Sequence, residues 1–388
     1  MGLEHSKTFP FSSAHRWGYC DGAPKMCKDE DDVSTPESEE GEAAHWVAQQ
    51  MLETFKMGGD GLPIGRVLVN RQAPNGVVIT DDMFDGAITY YNIIIKVVGE
   101  DRANLMIEQR VSAHYTLDPE AWGTADAIYY DAKTNTLYIW DFKYGHFSVV
   151  AFDNLQLAGY AIATCETFKY VPLNPRLSMN IVQPRCYDGQ GPLRNWTVAL
   201  DGLRAHTNIM KGAIINHRMN KGKVTSGSWC RECPARYKCP AIRQATAVAI
   251  DFSTTAIPLN LSNEALAYEL DITDIAHDRI KQRKLAIETE AEKRVRAGQL
   301  IPGRRMEDTI GNREWTDPKI VPMIADSFGL NLTAQPKPLS VAQAEKVLKA
   351  AGVDEQLLKP YYHNRKTGVK LIADDGSRAR QLFSQEKI

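Results

Sequence analysis

Between residues 105 and 150 the sequence carries its densest strand signal, and any fold for this chain has to be arranged around that block. Three runs rich in β-branched and aromatic residues, 105–111, 125–130 and 136–144, read as strands, and the polar stretch 131–135 turns the chain between the last two. Helical spacing flanks the block. Upstream, Ala44, Val47, Ala48 and Met51 share one face of a helix over 43–55, and 81–98 reads as a second helix. Downstream, 154–164 is helical, 177–183 reads as a further strand, and 201–217 is helical again. Strands bracketed by helices predict an α/β core. The acidic stretch 29–42, which contains Pro36, is expected to begin as an exposed loop, and 67–79 to form short extended pieces around Pro74-Asn75-Gly76.

Side chains two apart in a strand point to the same side. In Leu137-Tyr138-Ile139-Trp140-Asp141-Phe142-Lys143 this places Asp141 beside Lys143, while Tyr138, Trp140 and Phe142 cover the other side and can bury it. A carboxylate and an ammonium on an apolar strand are both costly to bury, so the pair needs an explanation. Hydrolysis of a phosphodiester supplies one: the carboxylate holds a divalent ion that polarises the phosphate and acidifies a water, and the lysine neutralises developing charge. A second carboxylate is then expected nearby. Asp126 opens the preceding strand of the hairpin, and Glu108, one strand earlier, offers a further oxygen. Oxygen ligands suit Mg²⁺ or Mn²⁺ rather than Zn²⁺. Gln156 and Tyr160, four apart on the next helix, project from one of its faces.

Composition narrows the class without naming it. The chain has 388 residues and a formal net charge of −2, which argues against histone-like coating of DNA but leaves room for a local basic groove. No apolar run approaches the length of a membrane span and the first ten residues carry no secretory signal, so a cytoplasmic protein is expected. The organisation reads as a core over 1–249 that includes a cysteine cluster, a linker over 250–260, and a helical region over 261–388 of unassigned role. Within that region Ser340 and Gln343 form a capping box opening a helix that stops at Gly352.

The ordered set Gly123-x-x-Asp126, Asp141-x-Lys143 and Gln156-x-x-x-Tyr160 resembles the RecB-like branch of the PD-(D/E)XK nucleases, and Gly41-Glu42-Ala43-Ala44-His45 looks like that branch's early helical histidine motif. The resemblance implies a restriction-endonuclease-like core, a mixed sheet flanked by helices. It implies His45, Asp126 and Asp141 as metal ligands, Lys143 as the catalytic lysine, and Gln156 and Tyr160 as groups that position DNA and that lysine. Glu108 has a looser place in the family pattern. The implied reaction is hydrolysis of DNA to a 5′-phosphate and a 3′-hydroxyl. A closer likeness, to phage and prophage nucleases of this branch, extends to Ser12-Ser13-Ala14-His15-Arg16-Trp17 and to 297–315. It implies an exonuclease in phage DNA recombination or processing, acting in the bacterial host cytoplasm with a single-strand annealing protein as a possible partner. Two rivals stand beside it: a structure-specific endonuclease using the same site, and a non-catalytic DNA-binding assembly protein. The intact Asp126, Asp141 and Lys143 speak against the second.

Seven cysteines with uneven spacing do not make a disulfide scaffold, but Cys230, Cys233 and Cys239 fall within ten residues, in a loop stiffened by Pro234 and Pro240. Zinc and iron–sulfur sites both need four ligands as a rule, so one must come from elsewhere. RecB-like relatives hold a 4Fe–4S cluster with one distant upstream cysteine, and that resemblance puts Cys20 in the fourth place, with Cys27 competing and a structural Zn²⁺ as the alternative. Cys165 and Cys186 are expected to be small buried hydrophobes. The stretch 204–243 holds nine Lys or Arg and one acid, Glu232, and Lys221, Lys223, Arg231, Arg236 and Lys238 are its candidates for contact with DNA phosphates.

Overall fold

The computed structural model describes residues 6–30, 35–186, 191–254 and 260–304. The capping-box helix expected at 340–352 lies outside them. Two short helices, α1 (Ala14–Tyr19) and α2 (Ala23–Cys27), precede the long α3 (Pro36–Lys56), then α4 (Gly61–Leu68) and α5 (Asp81–Val98). Strands β1 (Met106–Ser112), β2 (Trp122–Asp131) and β3 (Thr136–Phe142) follow, then α6 (Leu155–Thr167), β4 (Arg176–Val182) and β5 (Leu193–Ala199). The described chain beyond the sheet is helical: α7 (Arg204–Arg218), α8 (Pro240–Thr254) and α9 (Asn263–Arg296).

The five strands form one mixed sheet in sequence order, antiparallel except where β3 pairs with β4 in parallel. That parallel pair requires a crossover, and α6 makes it. The resulting α/β architecture has two apolar layers. On one side α6, α7 and the N-terminal residues Phe9, Phe11 and Trp17 cover Leu137, Ile139, Leu177, Met179 and Ile181. On the other, Met51 of α3 and Tyr90 and Ile94 of α5 cover Tyr129, Trp140 and Phe142. Each of these fully buried side chains stabilises the fold by ~1.5–3 kcal/mol relative to exposure. The alternation read from 137–143 holds: odd residues face α6 and even ones face α3 and α5.

Several boundaries move. The helix expected over 43–55 starts earlier, at Pro36 within the acidic stretch, because Thr35 caps it. Its hydroxyl accepts from Ser38 N–H at 3.2 Å, Ser38 returns the bond at 2.9 Å, and proline at the first helical position needs no donor. Of the stretch expected to be extended at 67–79, Val67 and Leu68 end α4, and one bridge, Gln72 to Val78, remains. Asp126 lies inside β2, which starts at Trp122, and does not open it. The segment read as a linker at 250–260 begins within α8. Helix α9 is tied to the cysteine-bearing loop: Arg283 donates to the Tyr237 carbonyl at 2.5 Å, and Arg236 to Thr289 Oγ1 at 3.3 Å.

Candidate active site

The site forms where β1, β2 and β3 meet α3 and α6. β1 and β2 stay in register on both sides of one rung, with Ile107 opposite Ala127 and Gln109 opposite Ala125, so Glu108 stands across from Asp126. At that rung the side-chain alternation fails. Ala125 packs on the α6 side and Ala127 on the α3/α5 side, although they are two apart. Glu108 itself has φ +46°, a left-handed conformation that costs a non-glycine residue free energy. Two carboxylates directly opposed on neighbouring strands repel each other. Burial, then Asp126, Glu53 and Asp141, push the Glu108 carboxyl up to about 9, and its Oε2 is buried without a hydrogen-bond partner.

The third member comes from α3. His45 Nδ1 lies 3.6 Å from Asp126 Oδ2, with its ring tilted against Phe142 at 5.1 Å between centroids. One ligand atom from each of His45, Glu108 and Asp126 falls within 4.8 Å of the others. Asp126 Oδ2 also accepts from Phe142 N–H at 2.7 Å, which fixes the carboxylate between β2 and β3. Two carboxylates, one of them with a buried unpartnered oxygen, and an imidazole make a donor set that fits a divalent cation.

Next to this group, Asp141 and Lys143 share a strand side as their spacing predicts. Lys143 Nζ lies 2.9 Å from Asp141 Oδ2 and 3.2 Å from Oδ1. Gln156 completes the arrangement, donating Nε2 to Asp141 Oδ1 at 2.6 Å and accepting from Lys143 at 3.3 Å. The Asn154 side chain caps α6 and so sets the start of the helix that carries Gln156, accepting from Gln156 N–H at 2.9 Å and Leu157 N–H at 3.2 Å. Burial works against the charge on Lys143, but Asp141 and Asp126 outweigh it and hold the ammonium above its ordinary range. Asp141, 3% exposed, is therefore bonded to Lys143 and Gln156, while the converging ligand trio takes Glu108 in the place expected of Asp141.

Tyr160 is buried, edge-on to Phe11 at 5.6 Å, and supports Gln156 from behind; of the two roles expected of it, contact with DNA does not fit that burial. The sequence assigns no site role to two neighbours, Tyr90 and His15, although His15 lies in the motif 12–17. Tyr90 stacks on Phe142 at 4.8 Å, and its hydroxyl is driven well above the phenol range by burial and by Asp126, Glu108 and Asp141. Its helical spacing marks it as core, and nothing in that spacing marks its neighbours as acidic. His15 is lowered by burial, with Glu232 opposing and Arg16 and Lys143 reinforcing, which puts the α1 segment within electrostatic reach of the lysine.

Cys20, Cys230, Cys233 and Cys239 line one small cavity, and Cys27 Sγ lies 3.7 Å from Cys233 Sγ at its margin. Backbone donors point at two of the sulfurs, Thr225 N–H at Cys20 (3.3 Å) and Gly227 N–H at Cys230 (3.4 Å). Burial raises both thiols, a cost that a thiolate-binding group would relieve, but the sulfurs are spread wider than the His45, Glu108 and Asp126 atoms: among the described residues no three sulfurs lie within 4.8 Å of one another. Cys165 is buried in α6 with its thiol pushed up to about 12 by burial, and Cys186 is buried as well, as expected of both. Of the basic residues singled out, Lys221, Lys223 and Arg231 are exposed, Lys238 pairs with Glu30 at 2.8 Å, and Arg236 is engaged with Arg231 and Thr289.

A family model described as a protein of unknown function, DUF2800, matches residues 5–378. The chain belongs to the DUF2800 family. Among solved structures, this DUF2800 protein is similar to the crystal structure of a candidate exonuclease from Eubacterium rectale, at 8% identity and a TM-score of 0.32, over 66% of this chain and 92% of that one. Among the described residues of the DUF2800 chain, no helix is long and apolar enough to cross a membrane.

Proposed function

We propose that this DUF2800 protein is a DNA nuclease of the PD-(D/E)XK type, in its RecB-like branch, that hydrolyses phosphodiesters with Mg²⁺ or Mn²⁺. The observation that carries the reading is Glu108, whose buried, unpartnered oxygen faces Asp126 across one rung with His45 alongside. His45, Glu108 and Asp126 would hold the ion. Bound there, it would polarise a phosphate oxygen and lower the pKa of a water.

The chain's own groups do the rest. Lys143 stays charged beside Asp141 and is placed to neutralise charge developing on the phosphate. Asp141 and Gln156 fix where that ammonium sits, and Tyr160 and Tyr90 close the site against the two cores. Lys221, Lys223 and Arg231 offer exposed positive charge to the DNA backbone. Cys20, Cys230, Cys233 and Cys239 would hold a 4Fe–4S cluster as a structural staple, with Zn²⁺ as the alternative occupant of the same thiols. The biological setting we favour is end resection in phage DNA recombination, together with an annealing protein.

The test is cleavage of a linear duplex with Mg²⁺ and with Mn²⁺ by Asp141→Asn and Lys143→Ala, each checked by a thermal melt. Losses of about 10²–10³-fold or more are expected from removing a group that acts on the transition state. Wild-type rates in both folded variants would sink the assignment. Rapid cutting of a covalently closed circle by the wild type would favour an endonuclease over the exonuclease.

A further inference from the structure

The loop that leaves β3 directly after Lys143 carries an arrangement that phosphodiester hydrolysis does not use. Phe147 is 68% exposed, and Val150 and Phe152 beside it are exposed too. An exposed aromatic on a loop is commonly loose, but this loop is held from below. Gln183, 1% exposed, donates Nε2 to the carbonyls of Gly145 and Phe147, both at 2.7 Å, and accepts from Val149 N–H at 3.0 Å. Buried Arg194 donates to the same amide oxygen at 3.2 Å. The clamp is continuous with the catalytic strand, since Lys143 N–H donates to Val182, the residue before Gln183, at 2.9 Å. A second brace runs from Arg185, which lies over the Tyr144 ring at 4.5 Å and bonds Glu40 at 3.2 Å and His146 at 2.6 Å.

Arg231, from the cysteine loop, places its guanidinium 3.7 Å over the Phe147 ring. That contact covers one face of the ring and leaves the other to solvent. Burying an amide and a guanidinium is unfavourable unless their bonds are met, and here they are met by the backbone on either side of an exposed phenyl ring. A flat ring, backed by a cation and fixed four residues from the lysine, matches the chemistry of an unpaired nucleobase. The base stacks on the open face, and the guanidinium stays close to the phosphates on either side. In a closed duplex the bases stack on one another and offer no such face.

We infer that Phe147, backed by Arg231, is a stacking platform for an unpaired base next to the phosphate being cut, and that Gln183 is the residue that positions it. The inference rests on the nuclease reading and adds to it a preference for DNA with an unpaired terminus.

The experiment compares a blunt duplex with the same duplex carrying a short single-stranded overhang, in Mn²⁺, with 2-aminopurine in the overhang. Wild type is expected to show the lower KM on the overhang and to quench 2-aminopurine emission on binding. Phe147→Ala should raise the overhang KM by about tenfold or more, from the stacking it removes, with a smaller change on blunt duplex and loss of the quench. Phe147→Trp should restore both. Gln183→Leu, shown to be folded by its melt, should raise the overhang KM while keeping part of the quench, because the ring is present but loosely held. If Phe147→Ala keeps the wild-type KM ratio and quench while the wild type cuts DNA, the platform is overturned and the nuclease reading stands. If the wild type cuts neither substrate with Mg²⁺ or Mn²⁺, the nuclease reading fails and the platform falls with it.

Discussion

At Glu108 a left-handed backbone, a buried carboxyl oxygen and a facing aspartate coincide, which makes the charge of one residue visible in the stability of the whole fold. Its carboxyl is pushed from an ordinary 4.5 up to about 9, so the fold retains a proton there that the unfolded chain gives up earlier. The contribution is fully present below pH 4.5 and is lost as pH rises toward 9, and at pH 7 it amounts to ~3 kcal/mol or less. With a chelator present, the melting temperature is therefore expected to fall between pH 5 and pH 8, and Glu108→Gln should flatten that fall. Mn²⁺ should raise the wild-type melt at pH 8 and leave the Glu108→Gln melt nearly unmoved. A wild-type melt indifferent to both pH and Mn²⁺ would remove the metal centre. Asp141 and Lys143 were legible in the sequence because a strand repeats every two residues and they obey that period. Glu108 was legible only as an extra oxygen, since its role comes from the rung where the period breaks.

At the scale of elements, the site depends on how closely α6 lies on the sheet. Gly123 of β2 and Gly159 of α6 make that approach possible. A Cβ on Gly123 would stand 3.1 Å from the Tyr160 ring, and one on Gly159 would stand 2.5 Å from the Phe11 ring. Phe11 is fully buried and cannot swing aside. Gly159→Ala is expected to destabilise by ~1–3 kcal/mol through overpacking, read as a lowered melting temperature. Gly212→Ala on α7 has nothing within 4 Å of the new carbon and should be neutral or stabilising. Equal melts for the two variants would show that α6 does not need the close approach. The helices and strands around this contact were readable from their apolar spacing. α4 was not, because Gly61, Pro63 and Gly65 break the helical pattern, and its start depends on Asp60 accepting from Leu62 N–H at 3.0 Å. β5 was missed because Arg194, Asn195 and Thr197 dilute its apolar positions, Leu193, Trp196 and Val198.

Across the whole described molecule, the N-terminal segment and the cysteine loop close on each other. Gly22 N–H donates to the Lys223 carbonyl at 3.0 Å, Asn216 to Asp21 at 2.7 Å, and Arg16 to the Glu232 carbonyl at 3.0 Å. The bunching of Cys230, Cys233 and Cys239 announced a metal-binding loop, but spacing alone could not rank Cys20 against Cys27, and folding brings both to its edge. Protein purified without oxygen is expected to carry iron and acid-labile sulfide, and Cys20→Ser and Cys230→Ser should lose both along with stability. Cys27→Ser should keep them. Zinc in place of iron would change the occupant, and loss of metal in Cys27→Ser but not in Cys20→Ser would reassign the fourth thiolate.

That closure has a consequence for how the protein is made. Phe9, Phe11 and Trp17 belong to the α6-side core, and Arg16 is anchored to a carbonyl 216 positions further along the chain. During synthesis these residues leave the ribosome long before their partners exist, and their apolar side chains must stay uncommitted while the sheet is assembled. A version of the protein trimmed to begin at α3 would keep His45, Glu108 and Asp126 yet lose the ring behind Tyr160 and one of the four thiols. Residues translated before the sheet can find their place only once it exists.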